Sequence, residues 1–226
     1  MLGVVFDLDG TLVDSLDGIC VAAAHAVKHV GRPVPSREAV STYIGTGVKS
    51  LLHRSLTGDF DGVAEDDIFQ DAFKVFTDHY YESCIHGTSL RKHAREVIDR
   101  LRVEGRSLAV LTNKPSRPTH RILNHLGLLQ QFDLVMSPEE VGVRKPDPRG
   151  MEMAIEAFDV DAVVMVGDSV VDLDTAIAAD APFVGIQGGY HVGKSLEDVV
   201  SSPHLMIEEL EGLPGAIQII ESSRYA

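Results

Sequence analysis

The order of apolar runs along the chain predicts an α/β protein: a Rossmann-like parallel sheet core with a helical segment inserted after its first strand. Three observations carry this. Beyond residue 105, short apolar runs alternate with helical patterns, the signature of βαβ units and of a parallel sheet covered on both faces. From Asp14 to about Cys84 only helical periodicity is present. The first run, residues 2–6, needs parallel partners that appear only after residue 105, so the helical stretch is an insertion.

Val4-Val5-Phe6 reads as a buried strand. A helix follows from Asp14 or Ser15, both good N-caps, with Ile19, Ala22, Ala23, Ala26, Val27 and Val30 at helical spacing until Gly31 and Pro33 end it. Ser36 caps a short helix toward Tyr43, Gly45-Thr46-Gly47 is a turn, and residues 48–56 resume helical spacing. Ile68, Ala72, Phe73, Phe76 and Tyr80 mark a longer helix, and the stripe Phe69, Phe73, Phe76, Tyr80 and Tyr81 reads as core. Further helices are expected at 90–104, 116–126, 148–158 and 170–179, with Gly105 and Gly127 stopping the first two. Strands are expected at 107–111, 134–136, 163–166, 183–186 and 205–207. The expected division is residues 1–13 and 85–226 as the α/β core and 14–84 as the insertion.

The 226 residues suffice for a sizeable core, and 44% hydrophobic with 24% charged residues is the balance of a globular protein. A net charge of −14 argues against nucleic acid and against an anionic membrane surface. An anionic small substrate stays open if a local cation or metal offsets the field. Cys20 and Cys84 are too few for a disulfide framework or a Cys-ligated zinc site. No apolar run approaches the roughly 18 residues of a membrane helix. A strand beginning almost at Met1 leaves no room for a signal peptide, so the expected compartment is the cytoplasm. His25 and His29 share a helix face, but no carboxylate nearby completes a ligand set.

Three strand ends and one loop carry the polar residues that matter. The first runs into Asp7-Leu8-Asp9-Gly10-Thr11-Leu12-Val13-Asp14-Ser15. In open α/β sheets ligands bind beyond the carboxyl ends of the strands, and Gly10 allows a sharp turn and close backbone approach. A carboxylate there can attack phosphorus, and a second one two residues on can manage the proton. Thr112-Asn113-Lys114 ends the next strand, where a hydroxyl and an amide can bond phosphate oxygens; taken alone the pair reads as a turn or helix cap. Lys145 lies in a loop restricted by Pro146 and Pro148, able to neutralise phosphate or to screen aspartates, although a loop lysine is ordinarily solvated. Asp168 follows a strand, and Asp172 falls in the first turn of the next helix. Asp7, Asp9, Asp168 and Asp172 cannot stay ionised together without a cation, and an all-oxygen ligand set suits Mg²⁺.

This constellation, at three strand ends and in one loop, resembles the haloacid dehalogenase superfamily of phosphohydrolases over essentially the whole chain. Within it, residues 7–15, Leu108-Ala-Val-Leu-Thr-Asn-Lys-Pro115, Arg144-Lys-Pro-Asp-Pro148 and residues 44–56 are most similar to the phosphoglycolate phosphatase group, and the insertion is similar to that group's α-helical cap. The resemblance implies a phosphomonoesterase acting on a small phosphorylated metabolite, phosphoglycolate-like, with Asp7 as nucleophile. It implies that Asp9 protonates the leaving oxygen and then activates water against the phosphoaspartate. It also implies Mg²⁺ held by the Asp7 carboxylate, the Asp9 main-chain carbonyl and Asp168, with Asp172 in support, and phosphoryl oxygens held by Thr112, Asn113 and Lys145. The chain departs from many relatives at Ile85-His86-Gly87-Thr88-Ser89, where they carry a Tyr-Pro-Gly turn. The Gly188-to-Gly193 loop resembles the group as well.

Other chemistries compete. A phosphosugar mutase of the same superfamily places a histidine about a dozen residues after the nucleophile, where this chain has Ile19. A dehalogenase has no use for Asp9, and a phosphonatase, for which Lys28 or Lys49 offers an amine, is disfavoured by the same aspartate. A phospho-signalling receiver module also uses clustered Asp, Thr and Lys on a parallel sheet, but needs about half this length and no helical insertion. In the insertion, the Gly45-Thr46-Gly47 turn with Lys49 and Arg54 is the expected surface to meet substrate, and Thr46, Lys49 and Arg54 are the candidate specificity residues; the same glycines also serve simply to separate two helices.

Overall fold

Six of the apolar runs pair side by side in the computed structural model, which describes residues 1–190, 196–201 and 204–224. In chain order, β1 (Gly3–Phe6) and β2 (Val13–Asp14) precede α1 (Leu16–His29), α2 (Arg37–Ser41), α3 (Val48–Thr57) and α4 (Asp66–Ser83). β3 (Ser89–Leu90) and α5 (Ala94–Val103) lead into β4 (Leu108–Leu111), α6 (Ser116–His125), β5 (Leu134–Met136), α7 (Pro138–Val141) and α8 (Arg149–Phe158). β6 (Val163–Gly167), α9 (Val170–Ala178), β7 (Phe183–Ile186), β8 (Leu205–Ile207) and α10 (Leu213–Arg224) complete the order. The sheet runs β5-β4-β1-β6-β7-β8, every pair parallel. The expected α/β sheet is thus present, with β1 between strands that come a hundred residues and more later.

Register decides what the sheet presents. Phe6 is level with Val110 and with Val166, so Asp7, the 111–112 step and the 167–168 step reach the same edge. Strand alternation then sorts side chains by face. Val4, Phe6, Val110, Val164 and Val166 enter one apolar cluster, and Val5, Ala109, Leu111 and Met165 the other. The first cluster continues through Leu12 and Val13 into the helices of the insertion. There α1 buries Ile19, Ala22, Ala23, Ala26 and Val27, and packs along α4, which buries Phe69, Ala72, Phe76 and Tyr80. Small alanines on α1 let the aromatic side chains of α4 fill the space between the axes. Each fully buried Ile or Phe side chain contributes about 1.5–3 kcal/mol. Of the aromatic stripe, Phe73 and Tyr81 are only half-buried.

The expected helix over 90–104 begins later, at Ala94. Val13 and Asp14 pair antiparallel with Leu90 and Ser89, and the Arg91 N–H donates to the Leu12 carbonyl at 2.9 Å. The returning backbone is thereby committed to the outgoing one and cannot close helical hydrogen bonds. Two helices escaped the sequence reading. One is the short α7, opened by a capping box between Ser137 and Glu140, and the other is α10. No helix among the described residues is long and apolar enough to cross a membrane. Of the loop singled out at 188–193, residues 191–193 lie outside the described residues.

Candidate active site

The loop after β1 folds back on itself, since the Leu12 and Val13 N–H groups both donate to the Leu8 carbonyl at 3.0 Å. Gly10 sits at φ +90°, and a Cβ there would lie 2.2 Å from Asp168 Oδ2. A side chain at this position is therefore excluded twice, by conformation and by space. The tight turn brings Thr11 under the end of β6, where its hydroxyl donates to Asp168 Oδ1 at 2.6 Å. The Tyr190 N–H, from the loop after β7, donates to the other Asp168 oxygen at 2.7 Å.

Asp7, Asp168 and Asp172 converge from the ends of β1 and β6 and the start of α9, each buried, with one oxygen of each within 4.8 Å of the others. Asp172 closes a capping box at the α9 N-terminus, accepting from the Ser169 N–H at 3.1 Å and its hydroxyl at 2.7 Å. Its other oxygen accepts from Lys145 Nζ at 2.6 Å, and the same ammonium lies 2.7 Å from Asp7. Lys145 is thus a bridge between two carboxylates as well as a cation at the site.

Burial pushes the Asp7 carboxyl up to about 7, against the pull of Lys145 and helped by the charge of Asp172. Burial raises Asp168 as well, with Asp172 and Asp7 adding to it. Burial would depress Lys145, but Asp172 and Asp7 outweigh it and raise its pKa. Three buried carboxylates facing one ammonium leave an excess of negative charge. That excess and an all-oxygen donor set fit a hard divalent cation.

Asp9 does not join this trio. Its carboxylate accepts two bonds of 2.9 Å from Lys114 Nζ and one of 2.6 Å from the Ser15 hydroxyl. Expecting all four aspartates to share one cation is therefore corrected: Lys114 neutralises Asp9 separately. Lys114 is buried and also donates to the Tyr80 hydroxyl of α4 at 2.6 Å. Burial moves that phenol up to about 12, opposed by Lys114. Nothing in the sequence marks Lys114, because a lysine after a strand ordinarily faces water; only the approach of α4 makes it a buried partner.

Thr112 is buried at the end of β4, its hydroxyl accepting from the Lys114 N–H at 3.2 Å. The Asn113 carboxamide is committed elsewhere than expected. It donates to the carbonyls of Gly45 at 2.9 Å and Lys145 at 3.1 Å, and accepts from the Lys145 N–H at 2.9 Å. It therefore fixes the Lys145 loop and the turn of the insertion.

A cavity of about 540 Å³ lies between the insertion and the loop after β4, lined by Asp9 and Lys114, by Gly45, Val48 and Phe76, and by Glu82 and Arg117 among others. Thr46, Lys49 and Arg54 are not among its lining residues. Arg54 donates to the Thr46 hydroxyl at 3.2 Å and the Phe60 carbonyl at 2.8 Å and stacks on the Phe60 ring, while Lys49 is exposed. The expected turn does meet the core, through its glycine backbone; of the cations beside it, Arg54 is held within the insertion and Lys49 is exposed.

Residues 4–186 match the family model of the haloacid dehalogenase-like hydrolases. Among curated proteins, the chain is 33% identical over 198 residues to a phosphoglycolate phosphatase of Nitrosospira multiformis, covering 87% of each chain. It is 31% identical to the phosphoglycolate phosphatase of Escherichia coli K12, covering 97% of this chain and 94% of that one. Among solved structures it superposes on a predicted phosphoglycolate phosphatase from Haemophilus somnus with a TM-score of 0.86 at 25% identity, covering 96% and 97% of the two chains.

Proposed function

The chain belongs to the haloacid dehalogenase-like hydrolases and is a phosphatase, and from that premise we propose that it hydrolyses a small phosphate monoester through an aspartyl phosphate on Asp7. The observation that carries this reading is the division of the carboxylates. Asp7, bridged by Lys145 to Asp172, sits in the trio, while Asp9 faces the cavity from a separate ion pair. An Asp7 oxygen attacks phosphorus and the ester P–O bond breaks, with Asp9, carrying a proton for this step, passing it to the departing oxygen so that the alcohol leaves. Water then attacks phosphorus of the phosphoaspartate, Asp9 takes its proton, and the Asp7 O–P bond breaks, releasing inorganic phosphate and restoring the Asp7 carboxylate. Lys114 holds the Asp9 carboxylate in place for that second step. Thr112 and Lys145 would hold the phosphoryl oxygens, and positioning with charge neutralisation is most of what phosphoryl transfer requires.

Mg²⁺ would be held by the carboxylates of Asp7 and Asp168 and the Asp9 main-chain carbonyl, with Asp172 in support. When bound it supplies positive charge for the transferring group. Residues 14–84 would form a cap over the core of residues 1–13 and 85–226, carried on the β2–β3 ribbon and excluding water when closed. Ile19 lining the cavity, where a mutase would carry a histidine, supports hydrolysis over transfer. Phosphoglycolate, for which the relatives are named, is the reference substrate. The test is phosphate release from it with and without Mg²⁺, by the native chain and by Asp7→Asn. Release that depends on Mg²⁺ and vanishes in a folded Asp7→Asn protein is expected; substantial turnover by that variant rejects the mechanism.

A further inference from the structure

The leaving-group side of the site is mostly apolar. Ile44, Val48, Leu51 and Phe76 wall the cavity beyond Asp9, three of them from α3 and α4 and one from the turn before α3. Its volume, about 540 Å³, is in the range of a pocket for a whole small molecule and far exceeds what glycolate fills. The charges at its reacting end are matched to each other, Lys114 lying 2.9 Å from Asp9 and 2.6 Å from the Tyr80 hydroxyl. At the rim the Arg117 guanidinium lies over the Tyr81 ring, 3.1 Å from its centre. Away from Arg117, such walls offer a carboxylate no partner and charge it desolvation, whereas an apolar ring gains from leaving water.

We propose that this cavity selects phosphate monoesters whose leaving group carries an apolar body of ring size, in preference to the ester of a two-carbon hydroxy acid. The proposal rests on the phosphatase reading above and names its substrate class. Asp9 meets the ester oxygen, and the rest of the alcohol lies along Val48, Leu51 and Phe76.

The experiment measures kcat/KM of the full chain with Mg²⁺ on benzyl phosphate, ethyl phosphate and phosphoglycolate. All three release a primary alcohol, so differences report the pocket more than the chemistry of departure. Benzyl phosphate is expected to exceed each of the others by about tenfold or more, since one methylene in an apolar pocket is already worth about 10–200-fold. Val48→Asp places a carboxylate on this wall at the first turn of α3, where the helix tolerates it, and should lower the benzyl-to-ethyl ratio at least about tenfold. Val48→Thr, close to Val in shape, should lower it less and in the same direction. A native ratio near one, a preference for phosphoglycolate, or a ratio unmoved by both variants overturns the proposal while leaving the phosphatase reading intact. No Mg²⁺-dependent release from any of the three esters overturns both.

Discussion

Replacing Lys145 with Met removes the ammonium that lies 2.7 Å from Asp7 and 2.6 Å from Asp172, in a place where the lysine side chain is 2% exposed. Each contact is worth about 6 kcal/mol at an effective dielectric near 20, and relief of the lysine's own desolvation offsets much of the sum. Breaking a buried pair by deleting one partner typically costs about 3–5 kcal/mol. With a urea slope of about 2–3 kcal/mol per M, the unfolding midpoint of metal-free Lys145→Met should fall by about 1–2 M. The loss should grow with pH. Native Asp7, raised from 3.8 to about 7, binds a proton that the unfolded chain has released, so metal-free stability declines as pH rises across that window. Without Lys145 the Asp7 pKa rises further, and the decline extends to higher pH. Urea unfolding in the presence of a chelator at about pH 6 and about pH 8 measures both effects. A midpoint within about 0.3 M of the native one at both pH values, or an equal fall at both, refutes the bridging role.

Asp9→Asn should lower kcat by about 10²–10⁴-fold and let phosphoaspartate accumulate; rapid-quench kinetics with both half-reactions unchanged would remove Asp9 from the mechanism. Mg²⁺ affinity, followed by calorimetry on metal-free protein, should strengthen as pH rises through about 7, because the proton on Asp7 must leave before the cation is held; a flat profile would contradict the raised pKa. Gly10→Ala forces a Cβ to within 2.2 Å of Asp168 Oδ2 at φ +90°, so the loop must shift and stability should drop by about 2–3 kcal/mol, read as a lower unfolding midpoint with loss of turnover. An unchanged midpoint and rate in that variant would show that the turn is not tight.

Most of the architecture was legible because its signals are local. Apolar runs with Gly and Pro punctuation mark the strands at 3–6, 108–111 and 163–167, and the residues just past them, Asp7, Thr112 and Asp168, follow from the rule that parallel sheets present their sites at strand ends. The helical period between β1 and β4 and the late return of the sheet are local signals of the same kind. Other features depended on tertiary contacts. The β2–β3 ribbon exists because two linkers about seventy-five residues of chain apart, Val13–Asp14 and Ser89–Leu90, run side by side, and no period in either announces it. Lys114 and Tyr80, on separate elements, meet only when α4 packs over the loop after β4, which turns a surface lysine into the buried counter-charge of Asp9. Asn113 and Arg54 have side chains able to face a substrate, yet one is bonded to the Lys145 loop and the other to Phe60. Sequence by itself determined which groups stand at the strand ends and hence the class of chemistry. Tertiary structure decided which carboxylate each cation neutralises and which side chains wall the cavity beside Asp9, because a charge or apolar side chain acts over a few ångströms, on neighbours that chain order does not record.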